Sequence, residues 1–191
     1  MEATQDLLWE QGYSATSPKD IMRRSGAGQG SMYHHFTNKQ ELAVVALECS
    51  AQSMRHDTEK LLATDGSAYE IATAYLRRQR DVLKGCRMGR MTFDADVLNT
   101  PELIEPVKRT FVWLLEALTV LFELGRDHGE FAADIDARNL ASLVVATVQG
   151  GYVLARATRD VDAFDAAVEG AAALLRKATV PLITEVLDHS D

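Results

Sequence analysis

Ser17-Pro18-Lys19-Asp20-Ile21-Met22-Arg23-Arg24-Ser25-Gly26-Ala27-Gly28-Gln29-Gly30-Ser31-Met32-Tyr33-His34-His35-Phe36-Thr37-Asn38-Lys39 is the stretch that decides the fold. Ser17 can accept from the free amides of a first helical turn, and Pro18 suits that turn because its φ is already helical and its missing N–H is not needed there. Asp20 completes a capping-box-like pattern and favours the positive end of the helix dipole. Gly26 and Gly28 permit a backbone reversal, and the spacing predicts a second, short helix from Gln29 to Phe36 crossing the first. Met32 and Phe36 lie four apart and share an inward face, which leaves Gln29, Ser31, Tyr33 and His34 projecting elsewhere. Amide, hydroxyl, phenol and imidazole groups all reach phosphate oxygens or base edges, so the pair reads as a DNA-reading helix-turn-helix. Asn38 caps a further helix with Glu41 three residues on, placing Lys39 in its first turn as a candidate phosphate clamp.

Gly12-Tyr13-Ser14-Ala15-Thr16-Ser17, then Asp20-Ile21, Gly26, Gly30-Ser31-Met32-Tyr33-His34-His35-Phe36, Lys39 and Glu41-Leu42 together resemble the DNA-binding domain of the TetR family of transcriptional repressors. The likeness covers residues 1–48, and its many spaced positions make it far more specific than a lone glycine motif. It implies that the short helix enters the major groove and that Ser17, Gln29, Gly30, Ser31, Tyr33, His34 and Lys39 contact DNA. A pure N-cap is the competing role for Ser17, and the two are compatible. Two departures stand out. Many family members carry lysine at the place of Gln29, and glutamine pairs well with adenine, which would shift specificity. The family also has a full first helix after a basic arm, whereas this chain starts almost inside that helix, at Leu7, Leu8 and Trp9. Met1 is therefore expected to be an internal or misassigned start, or a boundary of the chain as prepared. A helix shortened by about two turns would weaken DNA binding.

Composition bounds the rest. A chain of 191 residues can hold a small domain and a larger one, and 47% apolar with 25% charged residues is ordinary for a soluble globular protein. No uninterrupted apolar run approaches the roughly 18 residues of a membrane span and no signal-peptide pattern opens the chain, so a cytoplasmic protein without a membrane partner is expected. Cys49 and Cys86 make a disulfide framework improbable; idle thiols are the plain reading and redox sensing the minor one. The net charge is −8, of which residues 1–50 carry −2, from four basic and six acidic side chains. The basic groups nonetheless gather near the reading helix, and a dimer would double the contacts.

Leu42, Val45, Ala46 and Cys49 keep helical spacing and predict a helix over 38–63. Ile71, Ala74, Tyr75 and Val82 predict another, ending near Gly85-Cys86, followed by a short helix over 88–99. Pro101 and Glu102 open a long apolar segment through Phe111, Leu118 and Phe122 that stops between Gly125 and Gly129. Asp136 reads as the N-cap of a helix containing Leu140, Val144 and Val148, and a last helix follows Arg159 with Phe164, Val168 and Leu175. Period-two alternation is scarce, so the fold is expected to be all-α. It would comprise an N-terminal helix-turn-helix DNA-binding domain (1–48) and a helical ligand-binding and dimerisation domain (49–191).

The resemblance further implies a homodimer, formed by pairing the two C-terminal helices of each subunit. The small or interlocking residues Gly150, Gly151, Ala155, Phe164, Ala167 and Ala171 are its candidate interface, with ordinary intrachain packing as the rival for any one of them. It implies too a cavity for a largely apolar small-molecule effector. Candidate lining residues are Tyr75, Met88, Met91, Phe93, Phe111, Trp113, Leu114, Phe122, Gln149 and Tyr152, for most of which core packing is the plainer reading.

Other chemistries find little footing. The Gly26-x-Gly28-x-Gly30 run has neither a preceding strand nor a Gly-Lys-Ser/Thr ending, and His34-His35 lacks metal-ligand spacing. No nucleophile elbow is present, and Asp94, Asp96 and Glu102 read as solvated or capping carboxylates. The expectation is a non-enzymatic, ligand-responsive repressor of a palindromic double-stranded DNA operator, without metal or cofactor. The alternative is a helical small-molecule-binding protein whose reading unit is weakened or vestigial.

Overall fold

The computed structural model describes residues 1–180, and helices dominate throughout them. The N-terminal part holds α1 (Glu2–Gln11), α2 (Pro18–Ser25), α3 (Gln29–His35) and α4 (Lys39–Leu62). The start of α2 follows the expected chemistry: Ser17 Oγ accepts from the Asp20 amide at 3.1 Å, and Asp20 Oδ2 accepts from the Ser17 amide at 3.2 Å. Gly26 ends α2 with φ 69°, a left-handed conformation that would strain any side chain with a Cβ. Leu7, Ile21, Met32 and Leu42 then bury one another, with Met22 and Phe36 packed around them. Phe36 has left the helix for extended backbone at φ −135°, so α3 is one residue shorter than the spacing suggested while Phe36 still packs inward.

α4 has 24 residues and runs without interruption through residue 48, about 36 Å at 1.5 Å per residue. Its start is closed twice over. Asn38 accepts from the Glu41 amide at 2.8 Å, and the Glu41 carboxylate accepts from the Thr37 amide at 2.7 Å. Beyond it lie α5 (Ala68–Arg77), α6 (Arg87–Met91), α7 (Ala95–Asn99), α8 (Pro101–Asp127), α9 (Ala137–Thr158) and α10 (Asp162–Ala178).

Two expected elements differ. The helix thought to reach Gly85 stops at Arg77 and leaves Val82 in the connection, because the Arg80 guanidinium folds back onto the carbonyls of Tyr75, Leu76 and Arg78 and satisfies the helix end. The single helix expected over 88–99 is two. Asp94 separates them by capping α7, its Oδ1 accepting from the amides of Asp96 and Val97 at 3.1 and 3.4 Å.

Two further cores sit above the reading unit. The larger gathers Leu76, Leu114, Leu118, Phe122, Phe131, Val144 and Leu175 from α5 and α8–α10. Phe122 and Phe131 meet edge to face at 5.6 Å there, and Gly125 is closed in so tightly that a Cβ would lie 2.6 Å from that of Ala68. The smaller joins Leu8 of α1 and Ala46 and Leu47 of α4 to Met88, Met91, Val97, Leu103 and Val107 of α6–α8. That core welds the reading unit to the body. α9 is long and apolar enough by length and composition to cross a membrane, with a mean hydropathy of 1.3. It packs against α8 and α10, burying Val144, Val148 and Ala155, which is how a core helix of a bundle behaves.

Candidate DNA-reading face and effector cleft

α3 is held from behind by Met32 and presents the rest of itself outward. Gln29, Gly30, Ser31, Tyr33 and His34 are all exposed, Tyr33 to 46%. No side-chain cap covers its N-terminus, and a Cβ built on Gly30 would meet nothing within 4 Å, so free amides and bare backbone are open to a close-approaching anion. Ser17 lies half-buried with its hydroxyl 2.5 Å from Asp20 Oδ2, committed to the cap. That hydrogen bond, first among the causes, holds the Asp20 carboxyl below its usual value. Lys39 does not wave free: its Nζ sits 4.0 Å from the centre of the Tyr13 ring. Burial there lowers its pKa, and the nearby Asp94 and Asp96 charges oppose the drop.

The surrounding arginines are similarly engaged. Arg23 pairs with Asp20 at 2.8 Å, and Arg24 grips Glu10 with two hydrogen bonds of 2.7 and 3.2 Å. These pairs fix geometry while softening the positive field that phosphates would feel.

On the body side, α1, the second half of α4, the 78–86 connection, the start of α6 and Tyr152 of α9 line a cleft of about 730 Å³. Of the ten residues proposed to line a ligand site, Met88 and Tyr152 do so. Tyr75 lies buried behind them under the Arg78 and Arg80 guanidiniums, 4.7 and 5.3 Å from its ring centre. Leu114 and Phe122 fill the large core and Met91 the joining core, while half-buried Phe111 packs against both. Trp113 borders an α4–α8 groove beneath Arg55, Gln149 presses on Gly89 where no Cβ would fit, and Phe93 is 73% exposed.

What the sequence reading missed is polar. Arg78, Arg80, Ser50, Ser53 and Gln5 line the cleft, and the run Arg77-Arg78-Gln79-Arg80 was the available signal. Arg80 donates to three carbonyls, yet its Nε is buried without a partner and burial lowers its pKa. Burial also pushes the Tyr152 hydroxyl up to about 12.

The cleft wall is tied to the reading unit by named contacts. Arg87 pairs with Asp6 at 2.9 Å, and the Trp9 indole donates to the Gly85 carbonyl at 3.0 Å. Gln5 Nε2 donates to Ser50 Oγ at 3.0 Å. Lower down, Asp94 accepts from the amide and hydroxyl of Ser14 at 2.8 and 2.5 Å. Burial alone would raise the Asp94 pKa, but those hydrogen bonds outweigh it and hold the carboxyl below its usual value.

The candidate dimer residues divide. Gly151 is pressed under Phe164, where a Cβ would lie 2.8 Å from the ring, and Ala155, Phe164 and Ala171 are buried within the chain. Gly150 opens outward and Ala167 is half-buried, beside a shallow groove of about 350 Å³ that Leu143, Leu154 and Leu174 also line. Leu154 and Leu174 are more than half exposed. Those three leucines give this groove of the outer α9–α10 face its apolar character.

A short reading helix, an open helix N-terminus and a long helix shared with a cleft-bearing helical body define a DNA-binding transcription regulator. Residues 1–46 match the family described as "Bacterial regulatory proteins, tetR family", and residues 66–171 match "Tetracyclin repressor-like, C-terminal domain". The chain belongs to the TetR family of transcriptional regulators. Among its relatives, the HTH-type transcriptional repressor ComR of Escherichia coli is 25% identical over 165 residues, covering 82% of this chain and 77% of ComR. The HTH-type transcriptional activator FasR of Mycolicibacterium smegmatis is 27% identical over 172 residues, covering 88% and 75%. A TetR transcriptional regulator from Chloroflexus aurantiacus superimposes with a TM-score of 0.83 at 27% identity, covering 93% of each chain.

Proposed function

We propose that the protein is a homodimeric, cytoplasmic, ligand-responsive repressor that binds a pseudo-palindromic operator through α3 of each protomer and is released when a small molecule occupies the cleft. The observation that carries this reading is the single helix α4, whose first turn holds Lys39 beside the reading face and whose far half lines the cleft through Ser50, Ser53, Met54 and Leu61. Two α3 helices about 34–36 Å apart would enter successive major grooves. A ligand shifts that spacing to the extent that it binds the two arrangements unequally. The outer α9–α10 face, with Leu143, Leu154 and Leu174 around Gly150 and Gly170, supports a two-fold pairing. Relatives named repressor and activator both exist, and repression is the simpler outcome for an operator overlapping a promoter.

In vitro selection of random duplex DNA by the purified protein tests the reading. An enriched palindrome with half-sites one helical turn apart is the expected result. Recovery of only unenriched DNA, from protein that still runs as a folded dimer, would favour a helical binding protein whose reading unit no longer discriminates.

A further inference from the structure

Charge is segregated across the cleft between α1, α4 and the 78–86 connection. Glu2, Asp57 and Asp81 are the exposed acidic groups of its mouth, and Asp81 is engaged by Lys84 at 3.8 Å. Arg78 and Arg80 are half-buried beside Tyr152, which is 9% exposed, and fully buried Met88. Arg87, the third arginine, is neutralised by Asp6. Arg78 instead donates to the Thr58 hydroxyl at 3.2 Å and Arg80 to backbone carbonyls, and neither meets a carboxylate within ion-pair distance among the described residues. Asp165 and Glu169 border a separate, smaller groove on the other side of Arg80, where Glu169 is held by Arg77 at 2.5 Å.

Two guanidiniums drawn partly out of water with no counter-ion are costly, and the cost is relieved when an anion accepts from them. The planar fork of arginine matches a carboxylate, which can take two parallel hydrogen bonds. Met54, Leu61, Met88 and Cys86 supply an apolar wall to the same cleft, whose volume falls in the usual range for a small-molecule site. We propose that the cleft binds an organic acid with an apolar body, its carboxylate held by the Arg78 fork beside the Arg80 charge and near the Tyr152 hydroxyl, and its hydrocarbon or aromatic part against Met54, Leu61 and Met88. The proposal rests on the effector reading above and narrows its ligand to one chemical class. Gln5 and Glu2 of α1 border the same space, so the first helix of the reading unit forms part of the ligand's surroundings.

Matched probes test it. Decanoate and decanamide, and 4-phenylbutyrate and its amide, are titrated into the full chain by calorimetry, with inorganic phosphate as an anion lacking an apolar body. Trp9, which stacks on Arg87 at 4.2 Å beside the cleft, gives a second readout by its emission. At least one acid is expected to bind about tenfold or more tighter than its amide, the margin that a charged hydrogen-bonded pair supplies. Phosphate should bind far more weakly. Arg78→Gln should erase most of the acid's advantage, and Arg80→Lys should retain most of it because the charge is kept. Because Arg80 also closes the end of α5, its variant is read only with an unchanged circular dichroism spectrum, and Arg78→Gln decides the matter if that spectrum changes. Amides binding as tightly as acids, acid preference surviving Arg78→Gln, or no acid binding at millimolar concentration would each overturn the proposal. An acid that binds without releasing selected DNA leaves this assignment standing and sinks the release reading. A neutral compound that releases DNA from the cleft with no preference for acids does the reverse.

Discussion

The helix-turn-helix over residues 17–39 and the cleft behind it are both helical, yet they are assembled by opposite means. In the first, α2 and α4 are started and α2 is stopped by neighbours within a few residues: Ser17 with Asp20, Gly26 at the end of α2, Asn38 with Glu41. In the second, α5 is ended by an arginine reaching back from the following connection, and the walls come from α1, α4, the 78–86 connection, α6 and α9. Local chemistry makes a surface that recognises, whereas long-range chemistry makes a space that encloses. The difference is useful, because a reading face gains from rigidity fixed by its own turns, and a cleft gains from walls that can move relative to one another.

The largest effect should come from the body. Phe122→Ala removes a ring that is 1% exposed and in edge-to-face contact with Phe131, and should cost about 3–5 kcal/mol in denaturant unfolding. If the two regions are welded as the Leu8–Met88–Val107 core indicates, DNA binding and body structure will be lost at the same denaturant concentration. Separate transitions would break that view. Next in size are the reading-face contacts. Tyr33→Ala should weaken operator binding by about 1–3 kcal/mol, roughly fivefold to 150-fold, with the unfolding midpoint unchanged because Tyr33 is exposed. Lys39→Ala should weaken binding to all sequences alike and reduce the salt slope by about one per protomer. Gel-shift titrations at several salt concentrations check both, and unchanged binding in the two variants would remove α3 and Lys39 from the interface.

Smaller still is Ser17→Ala, which should destabilise the fold by about 1 kcal/mol through loss of the α2 cap. A larger loss in DNA affinity than in stability would show that the hydroxyl also meets phosphate. The smallest expected effect concerns the tie between Ser14 and Asp94. Asp94 is held below its usual pKa in the folded protein, so its contribution is whole at neutral pH. It falls as pH drops through the ordinary aspartate range near ~4 and vanishes below the depressed native value. Because Asp94 is only partly buried and solvent screens it, the contribution should amount to no more than about 1 kcal/mol. Unfolding midpoints measured between about pH 3 and pH 6 should fall more steeply for the native chain than for Asp94→Asn. Parallel curves would mean the tie is idle.

How far each region could be read from residues alone follows from the same contrast. Capping partners three apart and a buried Met32 are visible in a string of letters, so α2, α3 and the start of α4 lay within a residue of expectation. The end of α9 and the start of α8 were equally plain, marked by Arg159 and Pro101. The early stop of α5 was hidden because helical spacing continued to Val82, while the guanidinium that closes the helix is a tertiary contact. Asp94, read as a solvated or capping carboxylate, does cap α7, but its bond to Ser14, eighty residues away, is invisible in the sequence. For most of the apolar ligand candidates core packing is the plainer reading, and Leu114, Phe122 and Met91 do sit in the cores. The arginines that do line the cleft belong to a run that looks like any solvated patch until burial is known.

α4 can be considered as a lever. Over its 36 Å, a tilt of about 5° carries one end roughly 3 Å relative to the other, close to the 3.4 Å rise of one base pair. A tilt small enough to spare side-chain packing thus changes the relation of the two ends of α4 on the scale by which grooves are counted. On the release reading proposed above, letting go of DNA would require no unfolding of α3, only a tilt of this stiff arm against the Leu8–Leu47–Met88 core into which it packs.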